Sequence, residues 1–175
     1  MKRSELEHII RAASAITLYD EFVVIGSQAL LARYPDAPQG LVASIEVDLY
    51  PLQRPEDSIL IDGAIGEGSV FHQTFGYYAH GVGPDTATLP MDWERRLVAI
   101  RSENTRGATG WCLEAHDMAV SKLVAGREKD LEFVRGLLQH NMIDSESLVS
   151  RLSVTPLDEA ARTLCAQRLK RLSGR

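Results

Sequence analysis

The chain has 175 residues, a length that suits one domain with room for a small helical addition. Apolar residues make up 45% and charged residues 25%, which provides for a hydrophobic core and excludes a largely disordered chain. The net charge of −5 excludes a general nucleic-acid binder, because such proteins present a basic footprint to phosphates.

The cysteines and the N-terminus indicate the compartment. Cys112 and Cys165 lie far apart without metal-ligand spacing, so we expect neither a disulfide framework nor a cysteine metal site. The N-terminus has no apolar segment of the signal-peptide kind, and no stretch approaches the length of a membrane span. We therefore expect a cytoplasmic protein with no membrane partner.

The first elements alternate between helical and strand patterns. Ser4, followed three residues later by Glu7, predicts a capped amphipathic helix over 4–16. The apolar run 22–25 predicts a strand that is buried on both faces. A helix over 27–33 is expected to begin directly after that strand.

The rest of the sequence predicts further strands and helices up to about residue 114, and only helices after it. Residues 45–50 alternate apolar and acidic side chains, which indicates a strand. Further strands are expected over 77–82, 97–101 and 109–114, and helices over 55–67, 69–74, 91–96, 115–125, 127–140, 144–152 and 157–172. We predict an α/β core over 1–114 and a helical region over 115–175 that packs on it.

The acidic pair on the second predicted strand is a candidate metal site. Glu46 and Asp48 are one residue apart, so the alternation of a strand sends both carboxylates to one face. Two carboxylates that close repel each other unless a cation lies between them, and oxygen ligands favour Mg²⁺. An exposed strand edge also alternates apolar and charged residues without any ion, so the pair by itself leaves both interpretations open.

The turn after the first strand is a candidate phosphate site. Gly26 permits a close approach of the backbone, and Ser27 begins the next helix. A helix start offers backbone N–H groups to a phosphate. The alternative is an ordinary strand-to-helix turn in which Ser27 is the N-cap.

Taken together, these features resemble a known superfamily. The order strand, Gly26-Ser27, helix, loop and acid-x-acid strand is similar to that of the nucleotidyltransferases typified by DNA polymerase β. The resemblance implies a mixed sheet flanked by helices. It also implies that Gly26 and Ser27 bind the triphosphate, and that Glu46 and Asp48 are catalytic and bind Mg²⁺.

A second block of the chain adds to the resemblance. Residues 117–131 are similar to the Lys…Arg-x-Lys-Asp signature of bacterial nucleotidyltransferases allied to abortive-infection and toxin–antitoxin enzymes. This similarity implies a catalytic role for Lys122 and substrate-binding roles for Lys129 and Asp130. The run 26–140 as a whole resembles a bacterial nucleotidyltransferase-like family.

Lys122 also has an interpretation from the residues alone. It lies on a largely apolar arc of the helix predicted over 115–125, where a lysine needs a route to solvent or an anionic partner. A triphosphate is one such partner, and Asp130 or Glu46 is another. The pattern does not choose between substrate binding and a structural ion pair.

A third carboxylate, which nucleotide-using members of the superfamily normally bring, is not evident. The strand expected over 77–82 carries His80 and no acid, and a lone histidine is more often a structural residue than a ligand. Glu103 and Glu114 lie at predicted strand ends and are candidates for the third position.

Three hypotheses about function follow. The first is a Mg²⁺-dependent nucleotidyltransferase that moves a nucleoside monophosphate from a nucleoside triphosphate to an unidentified acceptor, RNA or protein. The second is a catalytically weak or inactive member that acts as an antitoxin or a regulatory binding partner. The third is a nucleotide-binding sensor that uses the site without turnover. The partners expected beyond the nucleotide are a second copy of the chain or a cognate toxin or antitoxin.

Overall fold

The structure, a computed structural model, describes residues 1–174, so Arg175, the last residue of the predicted helical region, lies outside the described residues. In chain order the elements are α1 (Arg3–Thr17), β1 (Glu21–Val24), β2 (Glu46–Pro51), α2 (Ser58–Ile65), α3 (Val70–Phe75), β3 (Tyr78–Gly81), β4 (Val98–Ile100), β5 (Thr109–Cys112), α4 (Ala115–Ala125), α5 (Glu128–Gln139), α6 (Ser145–Ser153) and α7 (Glu159–Leu172). A 3₁₀ helix spans Ser27–Ala32.

The chain folds into two compact units, each of which collects two segments. The sheet unit comprises Met1–Thr86 and Leu97–Leu113, and the helical unit comprises Ala87–Arg96 and the chain from Glu114 onward. Across the described part of the chain, no helix combines the length and the apolar character needed to cross a bilayer.

The sheet unit contains a five-stranded mixed sheet in the order β3-β2-β1-β5-β4. The pairs β1–β5 and β2–β3 are parallel, whereas β1–β2 and β4–β5 are antiparallel. Helix α1 contacts β2 and β5, and its apolar face is fully buried, as are the side chains of the central strand β1: Leu6, Ile9, Ile10, Phe22, Val23 and Val24. The predicted mixed α/β class is confirmed.

Two local predictions in this unit need correction. Helix α1 is capped by Glu5, whose carboxylate accepts a hydrogen bond from the Lys2 backbone N–H at 2.7 Å, so the predicted Ser4–Glu7 capping box is wrong. The helix predicted over 27–33 is a 3₁₀ helix of six residues. Four of its side chains are buried, so tertiary packing holds a segment too short to form a stable α-helix alone.

In the helical unit, α4 lies at the centre and contacts α5, α6 and α7. Its buried residues include Met118 and Leu123, and those of α5 include Val134 and Leu137. The segment before β4 belongs to this unit, and its residue Arg96 forms an ion pair with the buried Asp117 of α4.

Candidate active site

The two predicted acids converge with a histidine from the neighbouring strand. Potential ligand atoms of Glu46, Asp48 and His80 all lie within 4.8 Å of one another, and no other group of three or more such residues occurs among residues 1–174. The parallel register of β2 and β3 explains this, since it sets Glu46 opposite Tyr78 and Asp48 opposite His80. The prediction that both carboxylates share one face is confirmed.

Contacts within this cluster orient each side chain. The His80 Nδ1 atom lies 3.2 Å from Asp48 Oδ1 and 3.8 Å from Glu46 Oε1. The Tyr78 hydroxyl donates to Glu46 Oε2 at 2.8 Å and so fixes one side of that carboxylate. The Asp48 side chain is 27% exposed and the His80 side chain 50%, so a ligand can reach the cluster from solvent.

The surroundings of Asp48 and Tyr78 shift the pKa values of both groups. Burial raises the pKa of Asp48, and the charge of Glu46 beside it raises it further, whereas His80 acts in the opposite direction. The hydrogen bond to Glu46 raises the pKa of Tyr78 to about 12, so the phenol stays a donor at neutral pH. A cation between the carboxylates would offset their mutual repulsion.

Gly26 lies directly against Asp48. A Cβ atom at Gly26 would lie 2.2 Å from Asp48 Oδ2, closer than any real contact. The Ile25 backbone N–H donates to the Asp48 carbonyl oxygen at 3.0 Å and holds the two segments in register. The backbone angle φ at Gly26 is −77°, which any residue can adopt. The position requires glycine only because Asp48 approaches so closely. The predicted closeness of this turn to the acidic strand is confirmed for Gly26 and Asp48.

A buried amide links this turn to the start of β2. Gln28 is fully buried, and its Nε2 donates to the Ser44 carbonyl oxygen at 3.1 Å. The Ser44 hydroxyl accepts from the Glu46 backbone N–H at 3.1 Å. Gln28 Oε1 has no hydrogen-bond partner among the described residues. Sequence reasoning missed Gln28, because a polar residue early in a helix carries no signal of burial.

His80 and Tyr78 were also missed as members of the site. Both alternate with buried Ala79 on β3, as Glu46 and Asp48 alternate with Val47 on β2. This shared period of two was a usable signal. It required knowing that β3 pairs with β2 in parallel.

The residues of the predicted second signature lie in the helical unit. Lys122 Nζ donates to Asp130 Oδ1 at 3.1 Å, and Arg127 Nε donates to Asp130 Oδ2 at 2.6 Å. Burial acts to raise the pKa of Asp130, but these two cations outweigh it and leave the pKa lowered. Lys122 also lies 4.7 Å from the centre of the Phe133 ring, and Lys129 is exposed. Of the partners weighed for Lys122, the structure shows Asp130.

The two acids considered for the third carboxylate have other surroundings. Glu114 caps α4, accepting from the His116 backbone N–H at 3.0 Å, with its other oxygen 2.8 Å from His116 Nδ1. Glu103 begins the short 3₁₀ turn Glu103–Thr105. Neither belongs to the Glu46 cluster, where an imidazole stands in the third position.

Comparison of the sequence with known proteins identifies a family. Neither the curated proteins nor the solved structures contain a match to the chain. One family profile, described as "nucleotidyltransferase of unknown function" (DUF6036), matches residues 4–170. The match spans nearly the whole chain, including the Gly26-Ser27 turn, the acid pair and the signature around Lys122. The predicted link to abortive-infection or toxin–antitoxin enzymes stays a prediction. The chain therefore belongs to this nucleotidyltransferase family.

Proposed function

We propose that the protein is a Mg²⁺-dependent nucleotidyltransferase that transfers a nucleoside monophosphate from a nucleoside triphosphate to an unidentified RNA or protein acceptor. The observation that carries the proposal is the convergence of Glu46 and Asp48 beside Gly26. Family membership supports the same class of reaction.

The donor set fits a divalent cation. Glu46 and Asp48 offer carboxylate oxygens that solvent can reach, and Mg²⁺ is usually bound by one or two carboxylates together with substrate phosphates. Such an ion neutralises charge on the phosphates. Tyr78 keeps Glu46 in position, and Gly26 leaves room for the Asp48 carboxylate.

The transfer requires positioning more than covalent chemistry by the protein. The acceptor oxygen attacks the α-phosphorus with a lone pair, and the bond from that phosphorus to the bridging oxygen breaks. Pyrophosphate leaves with the electron pair of that bond, and the proton of the acceptor hydroxyl passes to a carboxylate oxygen of the pair. The Gly26-Ser27 turn would bind the triphosphate. Substrate roles for Lys122, Lys129 and Asp130 stay predictions.

A second candidate function has one observation in its favour. The third position of the cluster holds His80, and no third carboxylate joins Glu46 and Asp48 within the described residues. A member with this departure would bind nucleotide weakly or not at all and act as an antitoxin or a regulatory partner.

The two candidate functions predict different results in a calorimetric titration with each of the four ribonucleoside triphosphates, with and without Mg²⁺. We expect Mg²⁺-dependent binding of at least one nucleotide, and Asp48→Asn should weaken it about tenfold or more because a metal ligand is lost. The matched control is Asp36→Asn, an exposed loop residue, which should bind as the wild type does. No heat from folded wild type under any condition would overturn the proposal and favour the partner function.

A further inference from the structure

The cluster on β2 and β3 differs from an all-carboxylate magnesium site in one ligand. Its third member is an imidazole, and the Nδ1 atom of His80 faces both acids, at 3.2 Å from Asp48 and 3.8 Å from Glu46. The imidazole is within hydrogen-bond distance of Asp48, and Glu46 lies slightly farther away, so one ring nitrogen lies near both carboxylates.

We infer that His80 is a third metal ligand and that the site binds transition-metal divalent cations in preference to Mg²⁺. This inference rests on the proposed function, because it concerns the same cation site, and it specifies which class of cation the site selects. Mg²⁺ remains able to bind through the two carboxylates.

The separations support shared ligation. Two donors in neighbouring positions on one cation, with bonds of about 2.1 Å, lie about 3 Å apart. The His80–Asp48 separation of 3.2 Å is close to that value, and the 3.8 Å to Glu46 requires only a small closure.

The surroundings of the ligands support a built site. Tyr78 donates to the Glu46 oxygen that faces away from His80, as outer hydrogen bonds commonly orient metal ligands. Gly26 adjoins Asp48 Oδ2, whereas Asp48 Oδ1 faces His80. The two carboxylates therefore each direct one oxygen toward the imidazole.

Ligand chemistry determines the selectivity. Mg²⁺ prefers oxygen ligands and releases its waters reluctantly, whereas imidazole suits transition metals. Mn²⁺ is the weakest binder among the common first-row divalent ions. A preference for Mn²⁺ over Mg²⁺ therefore implies at least as strong a preference for the rest of that series.

The test adds Mn²⁺ alone to the 175-residue chain and detects its binding by electron paramagnetic resonance. Loss of the free-ion signal gives the affinity, Mg²⁺ competition gives the preference, and pulsed spectra report ¹⁴N coupling from a bound imidazole. A parallel series contains inorganic triphosphate, which supplies phosphate oxygens and no nitrogen. Thermal melts check that each variant is folded.

Three variants separate ligation from a structural role. Wild type should bind Mn²⁺ at least about tenfold more tightly than Mg²⁺, with ¹⁴N coupling. His80→Ala should lose the coupling and weaken Mn²⁺ binding about tenfold. His80→Asp should lose the coupling, keep Mg²⁺ binding and reduce the preference for Mn²⁺. The control His140→Ala, at an exposed site in the helical unit, should match wild type.

The outcomes also separate this inference from the proposed function. Mn²⁺ binding without ¹⁴N coupling, or binding that His80→Ala leaves unchanged, would overturn the role of His80 while leaving an oxygen-only site that can use Mg²⁺. Failure of wild type to bind either cation, alone or with triphosphate, would overturn both proposals. Coupling that His80→Ala abolishes would establish the ligand.

Discussion

At the scale of single residues, Gly26 is a position where the structure has no room for a side chain. The Asp48 carboxylate occupies the space that a Cβ atom at this position would need. Because the atom in the way belongs to the candidate site, relief of the clash changes the position of Asp48 relative to Gly26. We therefore expect the free energy of unfolding and the affinity for a cation to change together when this residue is substituted.

We expect Gly26→Ala to destabilise the protein by about 1–3 kcal/mol, the usual cost of overpacking, and to weaken divalent-cation binding. Urea unfolding and a cation titration measure the two effects. Gly40→Ala is the matched control, because a Cβ atom there meets nothing within 4 Å. Unchanged cation binding in a destabilised Gly26→Ala protein would show that the Asp48 position is not needed for the ion.

Lys122 is the residue for which the sequence left two roles open. Lys122→Met removes one of the two cations that bind Asp130, whose side chain is only 1% exposed. Arg127 remains, so the loss should fall below the roughly 3–5 kcal/mol of a stranded buried charge, at about 1–3 kcal/mol. The melting temperature should fall by about 2–4 °C per kcal/mol.

The same Lys122→Met sample is titrated with nucleotide. A large melting loss with unchanged affinity would contradict the catalytic role implied by the resemblance, and the reverse pattern would contradict a purely structural role. Lys170→Met, on an exposed position of α7, controls for the loss of a positive charge.

At the scale of elements, one histidine joins the starts of two helices. His116 lies between Glu114, the N-cap of α4, and Asp144, the N-cap of α6, with ring nitrogens 2.8 Å and 3.2 Å from their carboxylates. The hydrogen bond to Glu114 is the main cause that raises the pKa of His116, although burial opposes it. The protonated ring therefore stabilises the folded state.

This pKa shift predicts a pH dependence of stability. Since the pKa of His116 is raised on folding, its contribution is complete below the unfolded value of about 6.5 and is lost as the pH rises through the folded value. The difference in urea midpoint between wild type and His116→Gln should therefore shrink as the pH rises from roughly 5.5 to 9. Gln139→Asn, at an exposed position without an ionisable group, should show no such trend. A difference that grows with pH would contradict the assignment.

At the scale of the whole molecule, the chain enters the helical unit twice, before β4 and again after β5. Arg96 lies in the first of these two segments and donates to Asp117 of α4 at 2.7 Å and 3.1 Å. The Asp117 side chain is fully buried. Arg96 also donates to the carbonyl oxygens of Met91 and Asp92. One side chain thus fastens the 87–96 segment to the helices.

We expect Arg96→Met to lower the melting temperature and to speed thermolysin cleavage within 87–96. Breaking a buried pair costs about 3–5 kcal/mol, and Arg151, 3.6 Å from Asp117, should reduce that cost. Arg95→Met is the control, since the Arg95 side chain is 83% exposed. Equal cleavage rates in the two variants would show that Arg96 does not hold the segment.

Much of the element order and half of the candidate site were predictable from the sequence because they depend on local spacing. Period-two alternation placed Glu46 and Asp48 on one face, and the apolar run before Gly26 predicted the central strand. The bounds of α4 were predicted correctly for the same reason, since helical periodicity is a local property. The 3₁₀ conformation of Ser27–Ala32 was not predicted, because packing against the rest of the protein selects it.

The tertiary structure alone decided which groups join the acids. Strand pairing connects residues 32 positions apart, and a shift of one residue in register would turn Tyr78 and His80 to the opposite face of the sheet. The ion pair of Lys122 with Asp130 likewise depends on how α5 folds back along α4. The amino-acid sequence by itself therefore indicated the chemical class of the candidate site, whereas packing between distant segments determined which third side chain lies beside the acids.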